Sequence, residues 1–142
     1  MKSNIFLIFS AMLAMLSCQN KIQSKRIDVK YINYTLESVS GPKWEEVING
    51  EHSTFLVKSS IVDEIVCDSI ISIVIKLKPM KKETIPTENY PYMHCTIHYS
   101  ANDSSILILG HWYSTLDGVA IVSNDSLVKL LRKYSGYNHP PL

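Results

Sequence analysis

Between Pro91 and Tyr99 the side chains alternate without a break: Met93, Cys95, Ile97 and Tyr99 fall on one side, and Tyr92, His94, Thr96 and His98 on the other. A period of two marks a strand whose two faces meet different surroundings. Ala101-Asn102-Asp103-Ser104 follows as a turn, and Ile106 to Tyr113 supplies a partner strand. Leu116-Asp117-Gly118 turns the chain again, into Val119 to Val122. This stretch predicts a three-stranded antiparallel meander.

The rest of the chain must pack onto that meander. Ile27 to Val39 alternates more loosely, is rich in β-branched and aromatic residues, and predicts a strand closed by Gly41-Pro42. Trp44 to Ile48 suits a helical turn, Asn49-Gly50 a turn, and Thr54 to Lys58 a second strand. From Ser60 the period lengthens: Ile61, Val62, Ile65, Val66, Ile70, Ile73, Val74 and Leu77 recur at helical spacing. Ser60 is expected to cap the Asp63 N–H, Asp63 and Glu64 suit a helix N-terminus, and Pro79 is expected to end the helix. Ile70 to Ile75 is β-branched enough for a strand, but the cap and the spacing of the polar residues favour a helix. Lys81 to Tyr90, with Pro86, reads as a loop. A last helix starts near Ser123 to Ser126, with Leu127, Val128, Leu131 and Tyr134 on one face and Gly136 as its stop. The order β, β, α, β, β, β, α predicts an α+β fold: an antiparallel sheet of four to five strands with two helices packed on one face.

The N-terminus gives an address. Lys2 precedes an apolar run, Ile5 to Leu16. That run is far shorter than the ~20 residues a spanning helix needs, so it reads as the core of a signal peptide. Met15-Leu16-Ser17-Cys18 resembles the lipobox of bacterial lipoproteins. The resemblance implies cleavage after Ser17 and acylation of Cys18 with palmitate-type chains. The chain then divides into a signal peptide (1–17), a lipidated Cys with its tether (18–26) and one domain (27–142). Gln19 follows Cys18 where inner-membrane retention uses Asp, so the resemblance implies an outer-membrane lipoprotein facing the periplasm or the cell surface. At about 3.3 Å per residue the tether reaches at most about 30 Å, which keeps the domain close to its membrane. Phe55-Leu56-Val57 through Leu77-Lys78-Pro79, then Cys95-Thr96-Ile97-His98-Tyr99, Asp117-Gly118 and Lys133-Tyr134-Ser135-Gly136-Tyr137, resemble small lipoproteins of Bacteroides-type bacteria. These are structural and turn residues, and the resemblance brings no catalytic residue with it.

Charge narrows the function. The chain has 14 Lys plus Arg against 13 Asp plus Glu, and loss of Lys2 with the signal peptide makes them equal. A nucleic-acid interface needs a basic footprint, and this composition does not supply one. No block of like charge suggests a polyanion or membrane surface.

The candidate chemistry sits on the meander. With Ser100 paired to Ser105, His94 lies opposite His111, and the two imidazoles could share a metal with a third ligand from elsewhere. No Asp or Glu on either strand completes such a site. The sequence holds no Gly-x-Ser-x-Gly elbow, no phosphate-binding glycine loop and no His-Glu-x-x-His motif. Cys67 and Cys95 remain as a possible disulfide: the oxidising compartment argues for the bond. Helical phase argues against it, because it turns Cys67 away from the apolar stripe. Cys95 points with Met93 and Ile97 toward the expected core, where a thiol is unreactive.

The same register places Tyr92, His94, Thr96, His98, Leu107, Leu109, His111 and Tyr113 on one face. A face of rings and apolar groups with few charges suits protein binding, unless another segment covers it. The expected function is a lipid-anchored, non-catalytic protein-binding module with no cofactor. Its concrete form is an immunity or inhibitor protein against a toxin, or a subunit of an envelope complex. The alternative is a small metal-binding protein or enzyme using His94 and His111.

Overall fold

A computed structural model describes residues 25–33, 44–48, 50 and 53–137. The expected signal peptide, Cys18 and the expected tether up to residue 24 lie outside the described residues, as do residues 34–39 of the expected first strand, its Gly41-Pro42 stop, Asn49 and the last five residues. The order is β1 (Arg26–Ile32), α1 (Trp44–Ile48), β2 (Leu56–Ile61), α2 (Glu64–Val74), β3 (Pro91–His98), β4 (Ser104–Gly110), β5 (Ser114–Leu116), β6 (Val119–Ile121) and α3 (Asp125–Ser135). All six strands join one antiparallel sheet in the order β2-β1-β3-β4-β5-β6. The α+β class and the antiparallel sheet are as the sequence predicts. The extra strand is β5: Ser114 and Thr115 fall between the expected strand and turn, and Leu116, expected in the turn, completes it.

α2 leaves β2, and the segment that follows it pairs with β6 at the far side of the sheet through a Pro79–Ile121 bridge. α3 leaves β6 and ends near β1, where Tyr137 meets Tyr31 edge to face at 5.1 Å. The two helices therefore cross the same sheet face in opposite directions. Between them and the sheet lie Ile27, Val29, Met93, Cys95, Ile97, Leu107, Leu109, Ile70, Val74, Leu127 and Leu131, all with almost no exposed surface. Burying a side chain of this size stabilises the fold by about 1.5–3 kcal/mol each, before the cost of ordering it.

α2 begins later than its sequence suggests. Ser60 belongs to β2, and Asp63 is the cap: its carboxylate accepts from the Val66 N–H at 3.0 Å. Ile61 closes the strand instead of opening the helix. The helix stops at Val74, with Ile75 as its C-cap, and Leu77 lies beyond it. The late start rotates the buried stripe onto Val66, Cys67, Ile70 and Val74, and leaves Ile65 79% exposed. Cys67 is thus fully buried rather than turned out. α3 starts and stops where expected, with Asn124 capping the Leu127 N–H at 2.9 Å and Gly136 ending it at φ 79°, but Tyr134, expected on the packed face, is exposed.

The β3–β4 register differs from the expected one. His98, not Ser100, begins the pairing, opposite Ser104, and Tyr99 to Asp103 form the turn. The change amounts to three positions, an odd number, so β4 turns over. The cause is visible in the sequence: Ile106-Leu107-Ile108-Leu109 is apolar at both parities, so either face of β4 can enter the core and the turn decides. Leu107 and Leu109 go in, and Ile106 and Ile108 go out. Near Pro91 the β3 register slips at Tyr92, and this bulge brings Tyr92 into the core beside Met93. At β5–β6 the two-residue loop Asp117-Gly118 has φ of 49° and 81°, the left-handed pair that a tight hairpin needs.

Candidate functional surface

The sheet face turned away from α2 and α3 carries the polar half of each strand. Across β2, β1, β3 and β4 its rows read Lys58, Lys30, His94, Ile108, and then Ser60, Asp28, Thr96, Ile106. Arg26, His98 and Ser104 form a third row. α1 covers one end: Trp44 stacks on His94 with ring centroids 6.3 Å apart and planes 16° from parallel. Val47 and Ile32 are fully buried outside the main core, which gives this end a small apolar seat of its own. The third helix thus sits on the face that the sequence reading left without a helix.

The expected binding face is divided. His94, Thr96 and His98 stay on it. Leu107, Leu109 and Tyr92 are core residues, placed there by the turned-over β4 and the bulge. His111 is exposed beyond the end of β4 and lies 5.2 Å from the Tyr92 ring. Tyr113, half-buried, follows in the loop before β5. Ile108, not His111, stands opposite His94. The two-histidine metal site therefore has no geometry to rest on, and among the described residues no group of three or more His, Cys, Asp or Glu could hold a metal ion.

In place of that pair, the face has a network centred on Asp28. Its carboxylate accepts from Ser60 Oγ at 2.7 Å and Arg26 Nε at 3.1 Å, and meets His98 Nε2 at 2.9 Å. Partial burial pushes the Asp28 carboxyl up, but the Ser60 and His98 hydrogen bonds and the Arg26 charge outweigh it and hold the group below its ordinary value. Ser, Asp and His meet here in the wrong order for nucleophilic catalysis. A relay needs the imidazole between hydroxyl and carboxylate, whereas here the carboxylate is in the middle and the Ser60 hydroxyl donates its hydrogen bond to it. The chemistry of the network is structural: it ties three strands together.

His94 titrates low because burial disfavours its charged form and the Lys30 ammonium repels it. Its Nδ1 is buried without a hydrogen-bond partner. The neutral ring therefore serves as a flat seat for Trp44. Cys67 and Cys95 are free, buried thiols of the same core. Cys67 Sγ donates to the Ile61 carbonyl at 3.3 Å, and burial pushes the Cys95 thiol up to about 12. Neither is poised as a nucleophile.

The residues that sequence reasoning missed are Arg26, Asp28, Lys30, Lys58, Ser60 and Trp44. All but Trp44 lie on β1 and β2. They join the face because β1 inserts between β2 and β3, and strand order leaves no trace in periodicity. A scan against protein-family models finds no matching family, and searches of curated proteins and of solved structures find no match.

Proposed function

We propose that the protein is a lipid-anchored envelope protein whose sheet face opposite α2 and α3 binds another protein without catalysis. The observation that carries this reading is an exposed apolar side chain set among polar ones on that face. Ile106 is 45% exposed there, beside Thr96 and within one row of His98. An exposed apolar side chain bordered by polar ones on a rigid sheet is a feature that protein interfaces use. An immunity or inhibitor protein, blocking an incoming toxin by covering its active site, is the concrete form. Such a protein needs an anchor, a scaffold and a complementary surface.

The anchor supports the same reading. No helix among the described residues is long and apolar enough to cross a membrane, and in this reading the anchor is the acylated Cys18. The tether enters the sheet at Arg26, beside His98 and Ser104. Tyr90 and Trp112, both largely exposed, lie at the opposite end.

The test is affinity capture from envelope and secreted fractions by the full chain and by a Thr96→Arg, Ile106→Asp variant with an unchanged melting curve. One stoichiometric partner, held by the parent and lost by the variant, is expected. A partner that ignores both substitutions, or none from any fraction, overturns the reading.

A further inference from the structure

The two edges of the sheet are treated differently. At β6 the Val122 N–H donates to the Lys78 carbonyl at 2.9 Å, and the Met80 N–H donates to the Ala120 carbonyl at 2.8 Å. Pro79 sits between them and has no N–H to offer another strand. That edge is closed. Among the described residues β2 has only one ladder, to β1, and its outer edge has no partner strand.

The charges on β2 say what could join it. Lys58 is exposed in the middle of the strand, directly opposite Lys30. Like charges in opposed positions destabilise a sheet. Among the described residues neither ammonium has an ion pair or a hydrogen bond. The nearest acid on that face of β1 is Asp28, two residues away and already held by Ser60, His98 and Arg26. A strand added along β2 would bring one side chain opposite Lys58, with Cβ atoms about 5 Å apart. A carboxylate there would complete a row that holds two cations without an ion pair among the described residues. A second copy of this chain would bring a second Lys58–Lys30 pair to the same face, so the edge rejects its own kind. Just past the strand, Val62 and Ile65 are 66% and 79% exposed and offer apolar contact to a continuing segment.

We propose that β2 takes up an extended acidic segment of a partner protein as a seventh antiparallel or parallel strand, with an Asp or Glu opposite Lys58. Main-chain hydrogen bonds supply the attachment and the charge supplies the selection. The proposal rests on the protein-binding reading but uses the β2 edge of the sheet rather than Ile106 on β4.

Hydrogen exchange on the full chain in mild detergent tests it. The probes are two blocked nine-residue peptides of alternating threonine and valine, one with a central glutamate and one with a central lysine. In the free chain the outward amides of residues 56–61 should exchange fast. The glutamate peptide should slow them several-fold and the lysine peptide should not. Lys58→Glu, an exposed change, should reverse the preference. Slow exchange of every amide in the free chain would mean that the edge is already covered, and would overturn the proposal. So would equal protection by both peptides, or none by either. Such a failure, with capture still lost in the Thr96→Arg, Ile106→Asp variant, would sink the edge proposal alone; loss of both would sink the binding reading with it.

Discussion

His98 and Asp28 meet at 2.9 Å although they are not opposed in the sheet: His98 faces Arg26, and Asp28 faces Thr96. The diagonal contact lets one carboxylate serve three strands at once. It also makes Asp28 the point at which acid should loosen the sheet. Its carboxyl titrates below its ordinary value in the folded protein, so the contribution is present above about pH 4 and is lost as pH falls through the folded value. The side chain is 34% exposed, and solvent screening keeps the stabilisation modest. Asp28→Asn should cost about 1 kcal/mol at neutral pH in urea unfolding. The gap between variant and parent should close as pH approaches 3. A gap that persists unchanged at pH 3 would show that the charge of Asp28 contributes nothing.

Asn89 fastens one end of the molecule in the same economical way. Its Oδ1 accepts from the N–H groups of Tyr90 and Trp112 at 3.1 and 3.3 Å, and its Nδ2 donates to the Tyr113 carbonyl at 3.0 Å. Gly110 is its neighbour, and a methyl group at that position would run into the carboxamide. Gly110→Ala should therefore cost about 1–3 kcal/mol by overpacking, despite the gain from a stiffer unfolded chain. Added to Asn89→Ala, which removes the obstacle, the same change should cost much less. A double-mutant cycle measures the difference, and strictly additive losses would show that the two residues do not compete for space.

The sequence made the existence of the two long helices, the β5–β6 turn and the alternation of β3 legible because each is written locally. Asp117-Gly118 specifies its turn, Gly136 its stop, and Met93, Cys95 and Ile97 their shared burial. The binding face was not legible in the same way. It depends on which parity of Ile106-Leu107-Ile108-Leu109 enters the core, and that run favours neither. It depends also on β1 lying between β2 and β3, which brings Asp28 to His98 across 70 residues of chain. The Ser60 cap failed for a related reason: Ile61 fits a strand end as well as a helix start, and the pairing with Ile27 decides.

The thiols give a prediction that needs no structural probe. Cys67 and Cys95 are buried, and burial raises both, Cys95 to about 12. The thiolate is the reactive form, so an aromatic disulfide reagent at pH 8 should leave both untouched in the folded protein. In denaturant without reductant, both should react at once. Silence there would mean that the oxidising compartment had joined them.

Cys18 lies outside the described residues, and its role is tested chemically. Cells fed labelled palmitate should mark the parent chain and leave Cys18→Ser unmarked. The unmodified chain should also fractionate away from membranes, because acyl chains contribute about 0.8 kcal/mol per buried CH₂. Equal membrane retention of both forms would move the anchor elsewhere.

His94 links the covered end of the sheet face to pH. Burial and the Lys30 charge hold its imidazole below the ordinary value, so the folded protein favours the neutral ring that Trp44 stacks upon. The sign follows from linkage: the unfolded chain takes up a proton first, near pH 6.5, and stability is lost as pH falls from there toward the lower folded value. Urea midpoints measured between pH 7.5 and 5 should fall for the parent. In His94→Phe, which keeps a flat ring and removes the proton, this component of the fall should vanish. Trp44→Ala should uncover the imidazole and move its titration, followed by NMR of the ring protons, back toward its ordinary range. If Trp44→Ala leaves the His94 titration where it was, α1 does not shield that end of the face, and the polar surface open to a partner extends across all three rows.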